Sequence, residues 1–443
     1  MMFEMIPTEY LGLIMLGLLL VTIFIGFPIA FTLMLLAVVF GYLGMEHRVF
    51  RLMVSQTFGI MQQEVLAAIP LFVLMGFFLE RTGLMERLFR ALQLAMGGLP
   101  GSLYLVTLLV ATIFATATGI IGASVTVIGL LAVPVMLKYG YYPRLAAGVV
   151  CAGGTLGILI PPSIMLVLMA PVMGVSVLHL FAGAIIPGLM LAGMHIVYAM
   201  FRALKNPALG PPLPVEERAA NWWVVVKELI LGFVPAALLM FFALGTILLG
   251  IATPTEAAAL GAFGALVMTA LYGSMTWKMF KECIMSTLQT SAMILFLAVS
   301  ANIYAAVFSR LGSGVLVTDW FLNMPLEPFW IVVMMMILIF LLAWPLEWPA
   351  IVLIFLPILT PVVRELEIDL VWFGILVAVN LQSAFLSPPV AMAAYYLKGA
   401  VPILKLSDIY IGMLQFNVIQ NLAVVIILIF PAIALWLPRV VYG

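Results

Sequence analysis

Gly153-Gly154-Thr155-Leu156-Gly157-Ile158-Leu159-Ile160-Pro161-Pro162-Ser163 decides the reading of this chain, because Ser387-Pro388-Pro389 repeats its proline pair 227 positions later. The same 27 residues separate each pair from an earlier proline, Pro134 before Pro161 and Pro361 before Pro388. A proline within a helix removes one hydrogen bond and clashes with the preceding turn, and a bilayer has no water for the freed carbonyl. Every one of these positions is therefore expected to break its helix, where protein or a water-filled cavity covers the break. Matching breaks in two halves of a membrane chain point to a substrate site near the midplane of a secondary transporter.

Working outward, the surroundings are apolar. Of 443 residues 66% are hydrophobic and 8% charged, against about 25% charged in an ordinary soluble domain. The apolar blocks are helix-length and lack the alternation of a barrel strand, so the fold class is an all-α polytopic membrane protein. The first apolar run follows no basic segment and no clear cleavage site, and is expected to be a retained helix. Cys151 and Cys283 lie far apart in apolar contexts and read as packed residues. A nucleic-acid partner is not expected.

Two blocks read as re-entrant hairpins, at 101–138 and 328–364. The first turns at 118–124, and its second arm, 125–137, is too short for a comfortable span. The second turns at 344–349. Parity then puts thirteen of the 18 Lys and Arg on one face, leaving Arg48, Arg51, Arg310, Arg364 and Arg439 on the other. Positive charge marks the cytoplasmic side, so the hairpins enter from opposite faces and the N-terminus, with Glu4 and Glu9, lies outside. The halves become inverted repeats, at 1–204 and 222–406, with broken helices at 144–174 and 370–398. A Pro-rich, charged cytoplasmic linker at 205–221 joins them, and a C-terminal transmembrane helix occupies 407–443. Phe27-Pro28 matches Thr253-Pro254 at an offset of 226, and Arg81-Thr82-Gly83 matches Arg310-Leu311-Gly312 at 229.

Unwound backbone suits a hard cation such as Na⁺, and half-helix N-termini suit a carboxylate. The candidate ligands are Thr118, Gly119, Gly122 and Ser124 at the first tip, then Gly153, Gly154, Thr155, Pro161, Pro162 and Ser163. The second half offers Glu347, Trp348 and Pro349, then Asn380, Gln382, Ser383, Ser387, Pro388 and Pro389. A Na⁺ ion is expected near Ser124, Thr155, Gln382 and Ser383. Small residues also let membrane helices pack closely, so both readings stand for each hydroxyl. A carboxylate inside an apolar block costs roughly 2.5–3.5 kcal/mol on insertion scales, so Glu347 either faces the site or caps the returning arm. Glu256, behind Thr253-Pro254, reads as part of a helix start.

Gly26-Phe27-Pro28-Ile29-Ala30-Phe31, the 153–163 segment, Thr253-Pro254-Thr255-Glu256-Ala257-Ala258-Ala259-Leu260-Gly261-Ala262 and Ser387-Pro388-Pro389 together resemble the large membrane subunit of tripartite ATP-independent periplasmic (TRAP) transporters. The resemblance covers almost the whole chain. It implies an elevator-type secondary transporter in a bacterial inner membrane, with the N-terminus periplasmic, importing organic acids on a Na⁺ gradient and using no other cofactor. It also implies a small four-helix membrane subunit and a periplasmic substrate-binding protein, with this chain the unfused large subunit. Carried onto this chain, the family's hairpin tips fall on 118–124 and 347–350. Many relatives have Asp where Glu347 stands, and a Ser-rich first tip.

An enzyme is the competing class, and the sequence gives it little. His47, His179 and His195 form no catalytic set, and no HExxH, GxSxG or Walker motif is present. A carboxylate transporter of the ion-transporter superfamily, to which the resemblance also points, that needs no binding protein is the nearer rival.

Overall fold

The computed structural model describes residues 7–119, 121–218, 222–344, 346–388 and 391–443; Pro389 and the side chain of Thr118 lie outside the described residues. Every regular element among the described residues is helical. Eight of these helices are long and apolar enough to cross a bilayer, or nine if Arg48–Met61 and Glu64–Glu80, which meet at 61°, make one span. Helix ends follow local chemistry. Gly26, at φ 100°, terminates Thr8–Ile25, where a residue with a Cβ would be strained. Thr253 and Glu256 form a reciprocal capping box that starts Pro254–Leu271, as the Thr-Pro-Thr-Glu order leads one to expect.

The elements recur in order along the chain. Ile29–Met45 is answered by Pro254–Leu271, and Leu84–Met96 by Ser313–Leu322. The hairpin of Ser102–Thr118 and Ile121–Lys138 is answered by Pro328–Leu342 and Trp348–Glu365. Pro143–Thr155 with Ile164–Met173 is answered by Leu370–Leu386 with Met392–Ala400. Gly83 and Gly312, φ 75° and 87°, both open the helix that follows them. The halves differ where Arg48–Met61 bends into Glu64–Glu80, while its counterpart Trp277–Arg310 runs unbroken for 34 residues. The polar triplet Gln62-Gln63-Glu64 sits at that bend. Leu406–Ile429 holds the place that Val177–Lys205 has in the first half, and Ala432–Tyr442 packs back on Val177–Lys205.

Both ends of the first hairpin lie together. Tyr141 Oη is 3.2 Å from Ser102 Oγ and accepts from the Leu103 amide, and the Tyr104 hydroxyl donates to the Leu209 carbonyl of the linker at 2.6 Å. Burial holds the Tyr141 phenol above its ordinary pKa, so it stays a neutral clasp. The short second arm expected from sequence is not found. Ile121–Lys138 has 18 residues and is long and apolar enough for a span, because Gly122 and Ser124 are already helical; Gly119, at φ 60°, ends the first arm. Nor do Pro134 and Pro361 break their helices. The carbonyl that such a proline frees belongs to the residue four positions earlier. Those residues, Leu130 and Pro357, each line a cleft beside their hairpin, of about 690 and 420 Å³. The breaks at Pro161-Pro162 and Ser387-Pro388 are real.

The broken helices pack against each other and against the hairpins. Pro143–Thr155 crosses Leu406–Ile429 at two glycines, where a Cβ on Gly412 would stand 1.8 Å from the Arg144 carbonyl oxygen. Arg144 Nε donates to Asp408 at 2.8 Å beside this crossing. Arg81 pairs with Glu282 at 2.5 Å at the same end of the molecule as the Lys278 and Lys281 turn, and that bond raises the Arg81 pKa.

Candidate functional site

A cavity of about 110 Å³ lies where the two hairpin tips meet. Gly119, Ile121 and Gly122 line it from the first tip, and Glu347, Trp348 and Pro349 from the second. The two tips thus share one wall. The broken helices contribute Ile164, Phe385, Met392 and Tyr396, and the long Trp277–Arg310 helix contributes Thr290, Met293 and Ile294.

Four helices begin on this cavity. Ile121, Ile164, Trp348 and Met392 are the first residues of their helices, and each lines the wall. A helix N-terminus carries unpaired amides and roughly half a positive charge. Four converging ends make a site suited to an anion without any Lys or Arg. Gly119 and Gly122 keep it open, since a Cβ at Gly119 would stand 3.3 Å from Ile164 Cδ1 and one at Gly122 would stand 3.0 Å from the Tyr396 ring.

Glu347 occupies the N-cap position of the returning arm, yet its side chain caps no amide there. It is exposed and lines the tip cavity and a neighbouring one of about 170 Å³, which also takes in Trp344 and Leu381.

The remaining candidate residues form the support behind this wall. Gly153 and Gly154 lie within Pro143–Thr155 and are not unwound. Their missing side chains admit the hairpin, with Ala111 Cβ at 2.7 Å and Val125 Cγ2 at 2.4 Å from the built Cβ positions. The Thr155 hydroxyl donates to its own helix at Ala152. Helix ends there, and 156–163 carries the break to Ser163, whose hydroxyl donates to the Ile158 carbonyl and accepts from the Leu166 amide. Ser124 is buried in the second arm.

In the second half Asn380, Gln382 and Ser383 are also helical. Asn380 Nδ2 donates to the Met336 carbonyl at 2.7 Å, on the first arm of the second hairpin. At the break the Ser387 amide bonds to the Ala384 carbonyl, leaving the Ser383 carbonyl without its helical partner. Ser387 Oγ, at 2.7 Å, and Asn417 Nδ2, at 2.8 Å, donate to it instead. Asn417 Nδ2 also lies 2.8 Å from Ser387 Oγ, and Gln420 Nε2 donates to Gln382 Oε1 at 2.7 Å. Thr155 thus bonds within its own helix, while Gln382 and Ser383 are tied to the Leu406–Ile429 helix.

The amides Asn417 and Gln420, and the wall residues Thr290 and Tyr396, are absent from the sequence reading. Gln415, Asn417, Gln420 and Asn421 in one apolar helix were the available signal for the first pair. No spacing signal marks Thr290 or Tyr396.

The chain matches the family described as tripartite ATP-independent periplasmic transporter, DctM component, over residues 16–433. It is 30% identical over 443 residues to a C4-dicarboxylate TRAP transporter large permease of Rhodobacter capsulatus, covering 97% of this chain and 99% of that protein. It is 28% identical to the sialic acid TRAP transporter large permease of Vibrio cholerae, covering 95% and 97%. The solved YdaH transporter of Alcanivorax borkumensis, described as having an unusual topology, superposes with a TM-score of 0.65 at 15% identity, covering 97% of this chain and 98% of that one. With the hairpin tips, the broken helices and the whole-length match in agreement, this multi-pass membrane protein belongs to the DctM family, as a TRAP transporter large membrane subunit.

Proposed function

We propose that this chain is the translocating subunit of a Na⁺-coupled importer of an organic acid, working with a small membrane subunit and a periplasmic binding protein. The observation that carries the reading is the convergence of four helix N-termini on one cavity between two opposed hairpin tips. These ends hold the substrate carboxylate, and the backbone released at 156–163 and beyond Ser387 offers carbonyl oxygens to Na⁺. Relatives named for C4-dicarboxylate and sialic acid transport support an organic acid as cargo. The chain consists of the two inverted repeats of the sequence reading, extended to count Leu406–Ile429 with the second half, and the hairpins and broken helices of both move together as an elevator, with the N-terminus periplasmic in the inner membrane.

Reconstitution of the chain with both partners in proteoliposomes tests this. Uptake of a labelled organic acid should require an inward Na⁺ gradient and the binding protein. Uptake unaffected by collapse of the Na⁺ gradient overturns the coupling, and full uptake without the binding protein favours a binding-protein-independent carrier.

A further inference from the structure

The wall that Trp277–Arg310 presents to the hairpins and broken helices carries polar groups twice. Thr290, Ile294, Ala298 and Asn302 follow one another at four-residue intervals and make one ridge of that helix. Thr290 and Ile294 line the tip cavity, whereas Ala298 and Asn302 line another cavity, of about 190 Å³. At 1.5 Å per residue, Asn302 stands about 18 Å along the helix from Thr290. The second cavity is divided. Among the described residues that line it, the polar side chains are Gln56, Gln63 and Asn302, from Trp277–Arg310 and from the helix pair that bends at 62–64. Leu168, Pro171 and Val172 of the first broken helix and Leu353 of the second hairpin face them with apolar side chains alone. Asn302 Nδ2 donates to Gln56 Oε1 at 2.9 Å and to the Gln56 carbonyl at 3.2 Å, which holds both carboxamides on their own side.

A carboxamide that faces apolar groups inside a bilayer forgoes hydrogen bonds, which is costly. The cost is offset in any arrangement that brings polar groups opposite it. From this division we infer that Gln56, Gln63 and Asn302 form a second station for the tip cavity. When the hairpins and broken helices slide along the ridge toward Arg310, these carboxamides replace Thr290 as the polar part of the wall that stays in place. Ile294 and Ala298 lie between and offer nothing polar, so the cavity rests at the two ends of the path and passes over its middle. Carboxamides donate and accept without carrying charge, so the station suits a cavity that holds Glu347, four helix N-termini and an organic acid. The inference rests on the elevator reading and adds where on the stationary wall the motion ends.

The test uses the full chain with its small membrane subunit in proteoliposomes, with the buried Cys151 and Cys283 exchanged for Ala. A protease site in the 205–221 linker lets only a covalent bridge hold the halves together after cleavage. Ile121→Cys is paired either with Met293→Cys, on the same tip cavity, or with Ala305→Cys, twelve residues further along the helix. Ala305 lines a cleft that no described residue of the first hairpin lines. Hg²⁺ should bridge both pairs, the second by catching the cavity at its far station. Gln56→Leu with Gln63→Leu should lower the Ala305 bridge about tenfold relative to the Met293 bridge, because two hydrogen bonds of the strength usual between membrane helices shift an equilibrium by about that much. Thr290→Cys replaces Met293→Cys if the latter stays unbridged, and Gln56→Ala with Gln63→Ala serves if the leucine pair does not fold. An unchanged or raised ratio overturns the station and leaves the sliding motion intact. A Met293 bridge with no Ala305 bridge in the chain that keeps both glutamines overturns both.

Discussion

Asn417→Ala should disable transport at the second helix break without preventing insertion. The Ser383 carbonyl has lost its helical amide and accepts instead from Ser387 Oγ and from Asn417 Nδ2 at 2.8 Å, and the same Asn417 amide reaches Ser387 Oγ at 2.8 Å. Truncation removes a donor from two buried acceptors. Side-chain hydrogen bonds between membrane helices measure about 0.6 kcal/mol on average and up to about 1.7, so the two together are worth about 1–3 kcal/mol. That is enough to let the break relax, and a loss of about tenfold in uptake corresponds to roughly 1.4 kcal/mol. Asn417→Asp should fare worse, because a carboxylate cannot donate and brings a charge to a buried position. The assay pairs thermal unfolding in detergent with uptake in proteoliposomes, for Asn417→Ala, Ser387→Ala and the double variant. The shared geometry demands coupling, so the double variant should lose less than the sum of the two singles. Strict additivity, or wild-type uptake and stability in Asn417→Ala, would refute the reasoning.

Gly412→Ala drives a Cβ to 1.8 Å from the Arg144 carbonyl oxygen; the backbone cannot yield as a side chain does, so a loss of about 1–3 kcal/mol or more is expected, and an unchanged thermal midpoint would count against the close crossing. Arg81→Ala breaks a pair whose side chains are 39% and 43% exposed, so it should cost at most about 1 kcal/mol and less in high salt; a larger, salt-independent loss would show that the pair does more than the structure accounts for. Pro134→Ala restores an amide to a helix that is already continuous, and uptake should stay within about twofold of wild type while stability holds or rises; loss of transport on this change would show that the proline is needed for more than venting one carbonyl.

Much of the fold was legible because prolines, apolar blocks and charge placement are local and each acts through one strong cost. Pro161-Pro162 and Pro388 mark true breaks, and Thr253 with Glu256 marks a true helix start. Pro134 and Pro361 show where that logic stops. One lost hydrogen bond does not stop a packed helix, and both helices run through their prolines as Val177–Lys205 runs through Pro187. The 118–124 run reads as a turn from its Gly and Ser, although Gly122 and Ser124 already belong to the helix of the second arm. The site was legible in part for a related reason. Glu347 announces itself because an acid in an apolar block is costly, whereas Thr290 and Tyr396 cost nothing where they stand and acquire meaning only when the chain brings them to the same cavity. Asn417 and Gln420 answer Ser383 and Gln382 from more than thirty residues away.

The two clefts carry this one step further. Arg81 and Gly83 line the larger cleft; their counterparts at an offset of 229 are Arg310 and Gly312, and residues around that second pair, Ser309 and Gly314, line the smaller one. Leu130 and Leu131 likewise correspond to Pro357 and Ile358 at 227. Matching or neighbouring positions of the two halves thus line a cleft beside each hairpin. The clefts differ in volume, about 690 against 420 Å³, with Glu80, Arg81 and Glu86 around one and Asp319 and Glu365 around the other. Sequence divergence accounts for the different charges at the two mouths. The difference in volume belongs to how each hairpin sits against the helices beside it. The paired prolines thus sit at equivalent places, each four residues beyond a residue that lines the cleft beside its hairpin.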